Sequence, residues 1–103
     1  MKFEQTARFR ADRVGLSDEH FARFRRVVTE QFIPAAERHV VDVGSVWPKS
    51  LRVKRVQGAP GVWEITWSFS GPDGRATFEW VKIDDQPGIR WRRVGSHAIF
   101  SEP

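Results

Sequence analysis

Phe21, Phe24, Val28, Phe32 and Ala35 recur at helical spacing on one side of a stretch whose other side carries Arg23, Arg26 and Glu30. That pattern predicts an amphipathic helix. Ser17 is placed to cap it, and Asp18 and Glu19 in its first turn complement the helix dipole. Pro34 lies inside the pattern and should kink the helix or restart it near Ala35, with the helical signal ending by about Arg38. Upstream, Met1–Gln5 alternates as a short strand would. Thr6 can cap a brief helix to about Arg13, with Phe9 inward and Gly15 ending it.

Beyond residue 50 the period changes from helical to two. Ser50–Val56 sets Leu51 and Val53 against Arg52 and Lys54. Trp63, Ile65, Trp67 and Phe69 then mark one face and Glu64, Thr66 and Ser68 the other. Arg75–Lys82 follows, with Ala76, Phe78 and Trp80 inward, and Ile89–Val94 is the last strand. Pro60-Gly61, Gly71–Gly74 and Asp84–Gly88 read as turns. Connections this short force the last three strands into an antiparallel meander. The expected fold is one α+β domain, with N-terminal helices packed on a twisted, mainly antiparallel sheet.

Composition narrows the function. The chain has 103 residues with eight Phe and five Trp, enough for one core without staples. It has no cysteine, which excludes disulfides and thiolate metal sites. His20 and His39 form no HxH, HxxxH or HExxH pattern, so no metal is expected, and no glycine-rich phosphate loop points to a cofactor. With no signal-peptide core and no apolar run of about twenty residues, the expected setting is soluble and cytoplasmic, with no membrane partner.

Charge adds a direction. Residues 1–42 hold eight basic and seven acidic side chains, whereas residues 43–103 hold nine basic and six acidic. Lys49, Arg52, Lys54 and Arg55 lie where no acid occurs between Asp42 and Glu64, and Arg90, Arg92 and Arg93 lie in an acid-free stretch from Gln86 to Ser101. Such a footprint suits RNA or DNA, although small soluble domains are often mildly basic. Alternation puts Arg52 and Lys54 together to track a nucleic-acid backbone while Arg55 points away, and it puts Arg92 and Arg93 on opposite faces. His97 stands just past this cationic strand. Cleaving RNA without a metal needs a base, an acid and cations for the extra phosphate charge, and histidine titrates in the useful range. A surface or capping histidine after Gly95 is the plainer reading of the same residue. Glu64 is expected to form a cross-strand salt bridge to Arg75 or Lys54.

Arg93-Val94-Gly95-Ser96-His97, followed by Phe100, resembles the arginine–hydrophobic–glycine–Ser/Thr–histidine ending of the YafQ-like branch of the RelE/ParE toxin superfamily. Gly61–Trp67 resembles that family's glycine–aromatic–glutamate strand, Asp73–Phe78 the next strand opening on glycine–arginine, and Ser50–Gly58 the basic segment before them. The ordered set spans roughly residues 49 to 100. The resemblance implies a compact sheet with helices on one side and the active groove on the other. It implies the toxin of a type II toxin–antitoxin system, a metal-independent endoribonuclease that cleaves ribosome-bound mRNA. Its partners would be a cognate antitoxin, mRNA and the ribosome. His97 would then be the acid–base group, with Arg93, Arg75 and Arg92 on the phosphate and Phe100 against a base; Lys49, Arg52 and Lys54 would follow the RNA. The chain departs from the family in having no tyrosine and no histidine between His39 and His97. The acid–base set is therefore either mixed, His97 with lysine or arginine, or incomplete. Two alternatives stay open: a gyrase-poisoning ParE-like toxin, and a nucleic-acid-binding module without catalysis.

Overall fold

Both helix starts fall where the caps predict. In the computed structural model, which describes residues 1–69 and 73–103, the Thr6 hydroxyl accepts the Phe9 N–H at 3.0 Å and opens α1 (Ala7–Gly15). Ser17 accepts the His20 N–H at 3.0 Å and opens α2 (Asp18–Val27). Pro34 has no N–H to donate, and the chain absorbs this by widening rather than breaking. Val28–Phe32 forms a π-helical turn in which the Ile33 N–H reaches the Val28 carbonyl, and α3 (Ile33–Val41) follows. The helix thus runs on to Val41 rather than stopping near Arg38.

Five strands form one sheet in the order β1 (Lys2–Gln5), β5 (Gln86–Gly95), β4 (Gly74–Ile83), β3 (Trp63–Ser68), β2 (Lys54–Arg55). β3, β4 and β5 are the predicted antiparallel meander, while β1 runs parallel to β5, Lys2 opposite Gly88 and Gln5 opposite Trp91. The fold is α+β. The helices cover one sheet face, where Phe32 meets Phe78 and Trp91 with ring centroids 5.0 Å apart in each case, and Phe24 meets Trp91 at 5.2 Å. These tilted and edge-on pairs add specific geometry to the burial of large rings. His39 lies between the rings of Trp47 and Trp80 at 5.1 and 5.6 Å, tying the segment after α3 to the sheet. The turn expected over Asp84–Gly88 is confined to Asp84 and Asp85, both left-handed at φ 52° and 61°, which lengthens β4 and β5 on either side. The connection expected at Gly71–Gly74 lies largely outside the described residues.

Three expectations are corrected. Ser50–Val56 is not a strand: Lys49–Leu51 forms a 3-10 turn, Arg52 is left-handed at φ 47°, and only Lys54 and Arg55 pair with β3. The turn after Pro48 carries Leu51 into the core, 1% exposed, which gives the same buried–exposed alternation that a strand would give. Phe69 does not continue the inward face of β3. A bulge between Thr66 and Ser68 inserts Trp67 as the extra residue and shifts the alternation, leaving Phe69 52% exposed under the Arg52 guanidinium. Trp67 itself lies flat on Gly74, where an added Cβ would come within 2.5 Å of its ring. Arg92 and Arg93 are not on opposite faces. A second bulge opposes Thr77 to Arg93 and Phe78 to Trp91, leaving Arg92 as the extra residue; both guanidiniums reach carbonyls of residues 102–103, and Arg93 reaches Asp12 of α1 as well.

Candidate functional site

Register builds the face opposite the helices row by row. Lys54, Glu64, Thr77 and Arg93 stand side by side across β2, β3, β4 and β5, a row about 14 Å wide at normal strand spacing. The next row holds Thr66, Arg75 and Gly95. Immediately beyond Gly95 the Ser96 side chain accepts the Ala98 N–H at 3.3 Å and caps a 3-10 turn, His97–Ser101. Ile99 folds back onto Gly95, where an added Cβ would sit 3.1 Å from it, so this turn roofs the end of the sheet. His97 is left exposed, its ring 5.1 Å from that of Phe100 and nearly perpendicular to it. His97, Phe100 and Arg75 therefore share one sheet end, as do Phe69 and Arg52 at the end of β3.

The arginines of β5 are not bare cations. Asp12 of α1 takes Arg93 through a two-pronged contact, Nε at 2.7 Å and Nη2 at 3.0 Å, and also accepts the Val94 N–H at 3.1 Å. That bonding to Asp12 raises the Arg93 pKa further and fixes its fork. Glu79 receives Arg90 at 2.6 Å on one oxygen and Arg92 on the other, and Glu4 receives Arg90 as well. The Glu4 and Glu79 bonds likewise raise the Arg90 pKa. Arg92 and Arg93 turn their remaining donors to the Pro103 and Glu102 carbonyls at 3.2 and 2.8 Å.

Arg75 is held more loosely. Its Nη1 lies 3.6 Å from Glu64, beyond hydrogen-bond reach, and its Nη2 donates to Asp73 at a long 3.3 Å. Arg75 Nε and the hydroxyl of its register partner Thr66 are buried with no hydrogen-bond partner among the described residues. Two orphaned polar groups side by side mark a place where the fold holds unfilled bonding capacity. The pairing expected for Glu64 is found with both cations, Lys54 standing at 3.8 Å. On the outer edge, Lys49, Arg52, Lys54 and Arg55 are all exposed, and among the described residues only Lys54 has a carboxylate within ion-pair distance. Arg55 does point away from Lys54, over the ring of Trp63 at 5.0 Å.

The structure thus sets His97 against Phe100 at the sheet end where Arg75 faces Gly95, sets Lys49, Arg52 and Lys54 along the neighbouring edge, and places Arg92 and Arg93 one row inward under acidic partners. Asp12 and Glu79, which set the charge of the site, carry no mark in the sequence, because their arginines are reached only through the folded chain. Phe69 was masked by the bulge. Among the described residues no cluster of His, Cys, Asp or Glu could hold a metal ion, and no helix is long and apolar enough to cross a membrane. No protein-family model, curated protein or solved structure matches the chain.

Proposed function

We propose that this protein is a cytoplasmic toxin of the RelE/ParE type that cleaves ribosome-bound mRNA without a metal and is restrained by a cognate antitoxin. The observation that carries the reading is the sheet end that holds an exposed imidazole against an aromatic ring and, in the row of Gly95, a loosely held guanidinium, beside a basic edge open to solvent. In this reading His97 exchanges the proton of the ribose 2′-hydroxyl or of the leaving oxygen. Arg75, steadied by Glu64, meets the charge that develops on the phosphate, and the unpaired Thr66 hydroxyl offers a further bond. Phe100 stacks on a base, and Lys49, Arg52 and Lys54 follow the strand. Asp12 holds the fork of Arg93 in one orientation, with Nη1 donating to the Glu102 carbonyl.

His97→Ala tests it. Cells arrested by the wild-type protein should resume growth with the variant, and transcript ends mapped by primer extension should lose the induced cuts, consistent with a loss of about 10²–10⁴-fold. Undiminished toxicity would remove His97 from the mechanism. The carboxylates on Arg92, Arg93 and Arg75 favour one second reading, a nucleic-acid binder without catalysis. It predicts salt-dependent binding, no cuts and harmless expression.

A further inference from the structure

Three donors of the sheet and Arg8 of α1 converge on three oxygens of residues 102 and 103. The Thr77 hydroxyl and Arg92 Nε donate to the Pro103 carbonyl at 2.9 and 3.2 Å, Arg93 Nη1 donates to the Glu102 carbonyl at 2.8 Å, and Arg8 pairs with the Glu102 carboxylate at 2.6 Å. We infer that Thr77, Arg8, Arg92 and Arg93 form a phosphodiester-binding cradle, and that residues 102–103 occupy it from within as an exchangeable strap. The inference rests on the nucleic-acid reading above.

Charge and bonding both fit a phosphodiester. Arg8, Arg92 and Arg93 face the carboxylates of Glu102, Asp12 and Glu79, so the site is balanced while Glu102 is seated. Its departure leaves one positive charge in excess and frees all four donors. One phosphodiester brings one negative charge and two unshared oxygens able to take several such bonds. With residues 102–103 in place Thr77 is fully buried and its hydroxyl donates to Pro103; their departure uncovers that donor for a phosphate oxygen. Within the strap Glu102 is exposed, and its pair with Arg8 is of the kind that solvent competes for easily. Bonding to Arg8 also lowers the Glu102 pKa. A cleft of about 460 Å³ lies alongside, lined by Thr6, Arg8, Arg92, Arg93, Glu102 and Pro103, with room for a sugar–phosphate unit. It adjoins the row of Arg75, so a strand entering here reaches the His97 end of the sheet.

Binding of a labelled 2′-O-methyl oligouridine, which lacks the hydroxyl that cleavage requires, separates the cases. Glu102→Gln should tighten binding about twofold to fivefold, the factor an exposed ion pair is worth. Glu30→Gln, the same charge change on the exposed side of the helical face, should leave it unaltered, and Glu102→Gln with Arg92→Gln should cancel the gain. Equal affinities for Glu102→Gln and Glu30→Gln, or a gain that survives the double change, would overturn the strap. Failure of every variant to bind would overturn the nucleic-acid reading and the cradle with it. Binding with the expected gain but no cleavage of unmodified RNA by the wild type would sink the nuclease and support the cradle.

Discussion

On the face toward the helices, Ile65, Ala76, Phe78, Ile89 and Trp91 meet Phe9, Phe24 and Phe32 in one apolar layer. On the opposite face, Glu64 joins Arg75 and Glu79 joins Arg90 and Arg92 through charge, and Arg93 is joined to Asp12 of α1. Apolar contact is non-directional, and each ring there has several neighbours, so no partner can leave without opening a cavity. The polar face consists of separate bonds between named atoms, each of which a ligand oxygen can replace. One sheet thereby carries a permanent side and an exchangeable side.

The largest test strikes the permanent side. Phe78→Ala, at a fully buried ring, should cost about 3–5 kcal/mol in urea unfolding. A loss near that of a surface change would dissolve the distinction between the faces. Asp12→Ala should come next, at about 3 kcal/mol, because it strands a guanidinium only 14% exposed and also deprives the Val94 N–H of its acceptor. Asp18→Ala, which breaks the exposed pair with Arg13, should cost under about 1 kcal/mol by the same measurement. Thr66→Val should move the other way. Deleting a buried hydroxyl that has no partner should raise stability by roughly 1 kcal/mol while weakening RNA binding. A destabilised Thr66→Val would mean that the hydroxyl is already satisfied. The smallest effect is electrostatic. With its pKa lowered by Arg8, the Glu102 pair contributes above the ordinary carboxylate range and is lost as pH falls through the lowered value. NMR titration should place Glu102 below a normal glutamate in the wild type and move it up toward the ordinary carboxylate range in Arg8→Ala.

What could be read in advance follows the same division. Helix starts were legible because Thr6 and Ser17 act on N–H groups three residues away, and the buried rings were legible because burial repeats at a local period. The turn expected at Gly95 was only half legible: Gly95 stays in β5, and the turn that presents His97 opens on Ser96. The charge state of the site was not. Arg93 finds Asp12 across 81 positions and Arg90 finds Glu4 across 86, so an acid-free stretch of sequence became a neutralised stretch of structure. The two bulges were equally hidden: neither Trp67 nor Arg92 is a glycine or a proline, and the extra residue in each is set by how two strands align. Phe69 and the shared face of Arg92 and Arg93 were missed for that reason.

The parallel pairing of β1 with β5 has a consequence in time. Lys2–Gln5 can be hydrogen-bonded only once residues 88–91 exist, and Phe9, Phe24 and Phe32 stay wet until Phe78 and Trp91 arrive to cover them. Contacts this distant in sequence make closure late and slow. On a nascent chain made from its N-terminus, the helices wait as loose segments until the final strand docks. That one closing step also assembles the histidine end of the sheet, so whatever the site does begins only after residues 86–101 have emerged and docked.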